Sequence, residues 1–345
     1  MASLAAVPKR LAGNPAGAAG AGPADDVLSQ VLRTIRLSGS LQFCFMPSGA
    51  WQTDTAPAMG ALAPNASSAI PFHIVVEGGC WLKMDGIDMA LAAGDVVAFP
   101  FGTGHQLGAG SGGITVTPTR DLPPRPWRDI PVMRYGEGPA GARLLCGFLQ
   151  CDALSFAPLR NALPALMHAR ADGDEGSWLR ATIAQMTGEV DRPRSGGVSV
   201  LERLTELVFI ELLRQEILRL RPDSVGWLAA LADPGLGRCL SLMHADPGRD
   251  WSVAALATAS GLSRSTLMER FEAIMRTSPV RYLRAWRLCL ASVALASSDR
   301  PIADIAYEAG YGSEAAFSRA FARAHGAPPA AWRSGARNGE SGRAG

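Results

Sequence analysis

The chain has 345 residues, 48% hydrophobic and 19% charged, with 33 basic side chains against 31 acidic ones. That length accommodates two or three domains with buried cores, and the apolar content excludes wholesale disorder. The net charge of +2 gives no whole-chain sign of a nucleic-acid or membrane partner, so any basic surface must be local. Residues 1–26 are rich in Ala, Gly and Pro, and Lys9-Arg10 is followed at once by Gly13, Asn14 and Pro15 instead of an apolar run. A disordered lead is expected there, not a signal peptide. The six cysteines are scattered in apolar contexts without a CxxC pair, which reads as reduced thiols in the cytoplasm. No apolar run reaches the roughly 18 residues of a membrane-spanning helix, so no membrane partner is expected.

Residues 27–155 have the texture of a β domain. Short apolar runs at Phe72–Val76, Cys80–Met84, Asp95–Phe99 and Gly113–Thr117 are separated by Gly, Pro, Asn and Asp. Asp85-Gly86 lies between two alternating runs, as in a hairpin turn. Short, evenly spaced strands predict a sandwich or barrel. The spacing G-x5-P-x-G-x2-H over Gly94, Pro100, Gly102 and His105 resembles the second motif of the cupin superfamily, and His73-Ile-Val-Val-Glu77 resembles the tail of the first. The resemblance implies a small double-stranded β-barrel, with His73, Glu77 and His105 as candidate ligands of a divalent metal. The first histidine position of that family is occupied by Pro71, so the usual four-ligand set is incomplete. Cys80 or Cys146 would be needed to complete a zinc site. Without a full set, the reading preferred from the sequence is a barrel with no metal cofactor. Its interior then holds a small molecule, with His73, Glu77, His105, Trp51 and Trp81 as candidate effector-binding residues.

The pattern changes in residues 156–232. Trp178–Val190 and Val198–Leu220 carry helical periodicity, separated by the break Asp191–Gly197. Leu201, Leu204, Val208 and Leu212 form one stripe, which Leu207, Ile210 and Leu213 widen. This helical connector either packs on the β domain or forms a dimer interface.

Residues 233–333 contain an internal repeat. Val253, Leu256, Ala257 and Gly261 recur 49 positions later as Ile302, Ile305, Ala306 and Gly310. Leu267 and Phe271 recur 50 positions later as Phe317 and Phe321. Each copy reads as a helix, a Gly-containing turn and a second helix opened by Ser263 or Ser313 as N-cap, which is the helix-turn-helix arrangement. The helical run Pro279–Ser297 joins the copies and presents Arg281, Arg284 and Arg287 at three-residue steps, suited to phosphates. Between Leu236 and Arg333 there are twelve arginines and no lysine against eight acids, a local excess of +4.

Three segments of this region look like the signature of the AraC/XylS-type transcription regulators: Arg287-Leu-Cys-Leu-Ala, Pro301 through Phe321, and Gly326-Ala-Pro-Pro-Ala-Ala-Trp-Arg333. The resemblance implies double-stranded DNA as partner, with two second helices in successive major grooves. By position it puts the first helix's base-reading contacts on Ser265, Met268 and Glu269, and Arg264 shares their small or polar face as a further candidate DNA contact. The second helix's contacts fall on Glu314, Ala315, Ser318 and Arg319. Chemistry allows Arg319 to pair with a guanine edge, Glu269 or Glu314 to accept from cytosine, and Met268 or Ala315 to touch a thymine methyl. Glu314 would also suit the positive end of its own helix.

The sequence thus predicts an α+β multidomain chain. It has a cupin-like barrel, a helical connector and an all-α domain with two helix-turn-helix units, followed by a disordered tail over 334–345. The expected function is a homodimeric, sequence-specific DNA-binding regulator controlled by a small-molecule effector, and no enzyme. The alternative is a metal-dependent cupin oxygenase or isomerase.

Overall fold

A computed structural model describes residues 26–34, 37–54, 69–151, 156–172 and 176–341. Almost all of the expected lead lies outside the described residues, as does 342–345 of the expected tail; the rest of that tail, from 334, continues a helix to Ser341.

The first element is a helix the β texture did not announce, α1 (Val27–Thr34), opened by Asp26, whose carboxylate accepts from the Leu28 N–H at 3.1 Å. Val27, Leu28 and Val31 fall on one side of it and are buried. The strands that follow are β1 (Leu37–Pro47), β2 (Trp51–Asp54), β3 (Ala69–Met84), β4 (Ile87–Ala92), β5 (Asp95–Ala98), β6 (Gln106–Ala109) and β7 (Ile114–Val116). After the single turn α2 (Pro118–Asp121) come β8 (Val132–Tyr135) and β9 (Ala142–Cys151). The turn α3 (Ala157–Arg160) and β10 (Met167–Arg170) complete the domain. The path β7-β2-β6-β3-β9-β1-β8 forms the wall, with β4 on β3 and with β5 joining β3 to β10. The expected Asp85-Gly86 turn links β3 to β4, and Gly86 has φ +70. The two runs read as separate strands at 72–76 and 80–84 are one strand, β3, which continues through a bulge between Val75 and Glu77. Gly78 follows that bulge at φ +69, and a Cβ there would stand 2.0 Å from the Gly141 carbonyl oxygen.

β9 explains why sheet and helices form one body. Its residues are buried almost without interruption, as expected of a strand covered on both faces. Leu144 and Cys146 point into the barrel with Phe45, Trp51, Val97 and Phe99. Leu145, Leu149 and Cys151 join the opposite core, under α4 (Ser177–Asp191) and α5 (Gly197–Leu218). α5 lies on β1 so closely that a Cβ on Gly39 would stand 2.4 Å from the Thr205 Cβ. Of the two readings of its stripe, packing on the β domain is the one seen for Leu201, Val208 and Leu212, all buried.

The helical domain comprises α6 (Trp227–Ala232), α7 (Pro234–Ala245), α8 (Val253–Ser260), α9 (Arg264–Arg270), α10 (Pro279–Ser297), α11 (Ile302–Glu308), α12 (Glu314–His325) and α13 (Pro329–Ser341). The boundary expected at residue 233 cuts through one packed unit. α6, assigned above to the connector, packs on α7 and on the π turn Phe271–Met275, and the Trp227 indole N–H donates to the Tyr282 hydroxyl at 2.8 Å.

Candidate nucleic-acid interface

Both helix-turn-helix units are built by local rules. Gly261 closes α8 in the left-handed region at φ +73, and Gly310 does the same after α11 at φ +80. Ser263 then caps α9 by accepting from the Thr266 N–H at 3.1 Å, and Ser313 caps α12 by accepting from Ala316 at 3.3 Å. Leu267, Phe271, Phe317 and Phe321 are fully buried. That burial turns the opposite faces outward: Arg264, Ser265, Met268 and Glu269 on α9, and Glu314, Ala315 and Arg319 on α12, are all exposed, while Ser318 is half-buried. The copies differ at the end of the second helix. α12 stops at Gly326, φ +76, whereas Arg276 holds the equivalent left-handed position after α9 at φ +51, a conformation non-glycine residues rarely take. Ser265 also hydrogen-bonds the capping Ser263 hydroxyl at 2.9 Å, which reserves part of its capacity for the helix start.

Of the three linker arginines, the structure presents two to solvent. Arg281 and Arg284 on α10 are exposed. Arg287 is turned inward instead: its Nε donates to the Pro247 carbonyl at 2.7 Å and its Nη2 to that of Arg249 at 2.9 Å. Those two bonds hold the loop before α8 against α10, so Arg287 is a strut between them, half-buried where Arg281 and Arg284 are exposed. Arg323, one turn beyond Arg319, is exposed and was missed; i, i+4 spacing from Arg319 is a signal that would have found it. Arg270, also missed, pairs with Asp233 at 3.1 Å and ties α9 to the cap of α7.

In the barrel the candidate ligands separate. His73 and His105 meet inside, with their Nε2 atoms 2.8 Å apart, and the Cys146 Sγ lies 3.1 Å from His73 Nδ1. His105 Nδ1 lies 3.0 Å from the Thr103 carbonyl, and its ring stacks on Phe99 with centroids 3.6 Å apart. One proton assignment satisfies this whole chain. The carbonyl can only accept, so His105 donates from Nδ1 and accepts at Nε2. His73 must then donate from Nε2, which leaves its Nδ1 to accept the Cys146 thiol proton. Burial and the neighbouring His105 hold His73 well below the usual histidine range, and burial raises the Cys146 thiol. Both residues are therefore neutral in this network.

Glu77 does not join them. The bulge after Val75 shifts the alternation of β3 by one residue, so the inward set changes from His73 and Val75 to Cys80 and Leu82. Glu77 is left with a largely exposed side chain, 3.5 Å from Arg143. Among the described residues no group of three His, Cys, Asp or Glu side chains converges as metal ligands, so the predicted His73–Glu77–His105 triad does not fit a metal. Trp51 is buried in the barrel, its indole N–H without a partner and its ring 5.0 Å from that of Phe45. Trp81 is only half-buried and carries Lys83 5.1 Å over its ring, which puts it on the outside.

The buried histidines give a pH expectation. His244, burial-shifted down to about 3, accepts no proton at neutral pH, and neither does His73. In the unfolded chain both take up a proton as pH falls through about 6.5. Their lowered native values mean that stability is fully present above that pH and declines below it. Urea unfolding is expected to lose up to about 1.4 kcal/mol per pH unit for each histidine between about pH 6 and pH 4.5. A flat profile over that range would contradict the neutral network.

Residues 26–217 match the family described as Cupin, and residues 256–335 match the one described as Helix-turn-helix domain. The chain is 32% identical over 325 residues to an AraC-like transcription regulator of Streptomyces antibioticus, covering 90% of this chain and 98% of that one. It is 30% identical over 319 residues to another of Streptomyces lividans, covering 90% and 97%. It is 30% identical over 315 residues to the HTH-type transcriptional regulator AlkR of Acinetobacter baylyi, covering 86% and 95%.

Proposed function

Because this chain belongs to the AraC-type transcription regulators with an N-terminal cupin domain, we propose that it reads DNA through the exposed faces of α9 and α12 and that a small molecule held in the barrel adjusts that binding. The observation that carries the first half is the pair of serine-capped second helices. Each has an aromatic or aliphatic core pair fully buried and a small or polar face turned to solvent. Arg319 has the reach and the bidentate donors for a guanine edge, whereas Arg281 and Arg284 meet phosphates.

The second half is supported by the polar chain His73–His105–Cys146 and the unpartnered Trp51 N–H inside an otherwise apolar barrel. These are the kind of few, placed polar groups by which an enclosed site orients a ligand. Glu77 and Trp81 face outward and take no part in that site. A homodimer is supported by α5, which leaves Val200, Leu207 and Leu218 exposed along one side after another is covered by β1. The cytoplasm is consistent with six free cysteines, and among the described residues no helix is long and apolar enough to cross a membrane. The metal-dependent enzyme reading loses its support, since its ligands do not converge, and we read the chain as a regulator and not a catalyst.

Footprinting on DNA flanking its own gene, with and without candidate metabolites, tests the whole reading. Arg319→Ala is expected to cost about 1–3 kcal/mol at one base position and relax the preference there. Arg281→Ala is expected to weaken all sequences alike. If Arg319→Ala discriminates between specific and random duplexes as well as the parent does, α12 is not a reading helix. Sedimentation of the same preparations measures the dimer, and a monomeric mass would overturn it.

A further inference from the structure

The second helix of the first unit, α9, is held by three contacts from outside that unit. It runs without a break into the π turn Phe271–Met275, and Arg276 then leaves it in the left-handed region. Carbonyls at such a helix end lack an intrahelical donor, and that of Ile274 is met by the Gly226 N–H at 2.7 Å. Gly226 stands just before α6 at φ +102 and ψ −178, a conformation essentially restricted to glycine. The Arg270 guanidinium, at the end of α9, donates to both carboxylate oxygens of Asp233, at 3.2 and 3.1 Å. At the other end, a Cβ on Gly235 would stand 3.0 Å from Leu262 Cδ1, in the turn that leads into the Ser263 cap. The corner between α6 and α7 therefore touches α9 both before it starts and after it ends. That corner is backed by the β domain: Ala162, just after α3, lies 3.4 Å from where a Gly226 Cβ would stand, and Phe156 meets the Trp227 ring edge-on at 6.3 Å. The second unit is held differently. Its core is drawn from residues 288–332 alone, and Glu314, Arg319 and Arg323 on α12 form no ion pair among the described residues.

We propose that residues 226–235 are a clamp that fixes the orientation of α9 for its groove, which makes Asp233 and Arg270 positioning residues for DNA recognition by the first helix-turn-helix unit alone. α9 has seven residues, far below the roughly 12–15 at which an isolated helix holds its shape. Its direction is therefore set by what grips its ends. A base contact requires a side-chain donor or acceptor at hydrogen-bond distance from a base edge, so a small tilt of so short a helix is enough to lose it. Asp233 joins two elements through one side chain: its Oδ1 accepts from the Gly235 and Leu236 N–H groups at 2.9 and 2.8 Å, capping α7, while the same carboxylate holds Arg270.

This inference rests on the DNA-binding reading, and the test separates the two. A duplex selected from a random pool by the full-length protein is footprinted. The protected stretch whose base preference shifts in Arg319→Ala belongs to α12, and the other belongs to α9. Each stretch is then scrambled in turn, and the duplexes are titrated with Asp233→Asn, Arg270→Gln and the double variant at several salt concentrations. Asparagine keeps the cap of α7, because its Oδ1 still accepts. Each single variant is expected to weaken binding by roughly twofold to fivefold where the stretch of α9 is intact, and to leave binding unchanged where it is scrambled. The double variant is expected to lose no more than either single one, since the two side chains act as one pair. The salt slope is expected to stay the same. No loss in either variant, or an equal loss whichever stretch is scrambled, overturns the clamp alone. If Arg270→Gln lowers the slope by about 0.9 while Asp233→Asn tightens binding, Arg270 is a phosphate contact and not a positioning residue. A wild type that binds no duplex, or an Arg319→Ala that shifts neither stretch, overturns the DNA-binding reading itself and the clamp with it.

Discussion

Replacing Trp286 by alanine is expected to destabilise the protein by about 3–5 kcal/mol, the usual cost of emptying a large aromatic site in a core. Trp286 is 1% exposed and stands where the β domain, the connector and the first helix-turn-helix unit meet. Its ring centroid is 4.1 Å from that of His244 and 5.3 Å from that of Phe156, the residue that leads out of the barrel into α3. Phe156 also meets the rings of Trp227 and Tyr282, and the Tyr282 hydroxyl is bonded by Trp227 at 2.8 Å and His244 at 2.6 Å. A hole at Trp286 removes the common wall of this cluster, and a domain of ordinary stability has only about 5–15 kcal/mol to lose. Urea unfolding followed by circular dichroism measures the effect, and Trp286→Phe is expected to recover most of it. A loss below about 1 kcal/mol would mean that the two domains do not share this core. Because one apolar cluster runs from α1 and the outer face of β9 to Phe271 in the first unit, a shift of the sheet has a packed route to α9.

Phe321→Ala is expected to be as costly, about 3–5 kcal/mol, but to act on a different body. Phe321 is fully buried, 5.5 Å from Phe317 and 5.9 Å from Trp332 by ring centroids. Its core is a separate small cluster made of Leu288, Ala291 and Leu295 from α10, with Ile305, Ala306 and Phe317. So small a core has little reserve, and the second helix-turn-helix unit is expected to open while the rest stays folded. Hydrogen exchange would report it as lost protection across 302–333 with the β1 and β9 amides unchanged. DNA binding would fall to what the first unit supplies. Uniform loss of protection along the chain would show that the second unit is not independent. The two helix-turn-helix units are alike in sequence and unlike in support: the first shares the core between the sheet's outer face and the helices, and the second hangs on α10.

The candidate site was legible where its geometry is local. The second helix of each unit is set by a glycine in the left-handed region, a serine two or three residues later and a core pair at i, i+4, all within about one helix-turn-helix length. Those signals lie in neighbouring residues, and the exposed faces of α9 and α12 follow from them. The bonds of Arg287 were not legible, because the carbonyls that capture it, Pro247 and Arg249, lie about 40 positions away. Nothing in a three-residue arginine spacing distinguishes a strut from a phosphate contact. Glu77 was misread for a related reason. The spacing His73 to Glu77 puts both side chains on one face of a regular strand, but the bulge that separates them is set by the pairing of β3 with β9.

By itself the sequence determined the order of the domains, the hairpin at Asp85-Gly86, the repeat and the family to which the chain belongs. These depend on periodicity, caps and turn residues, which act over a few bonds. Only the tertiary structure decided which arginines face solvent, that His73 and His105 pair without Glu77, and that the first helix-turn-helix unit shares the core on the sheet's outer face. Each of those outcomes turns on contacts between residues far apart in the chain, and burial there is a property of what the fold brings to cover a side chain, not of the side chain's own neighbours in sequence.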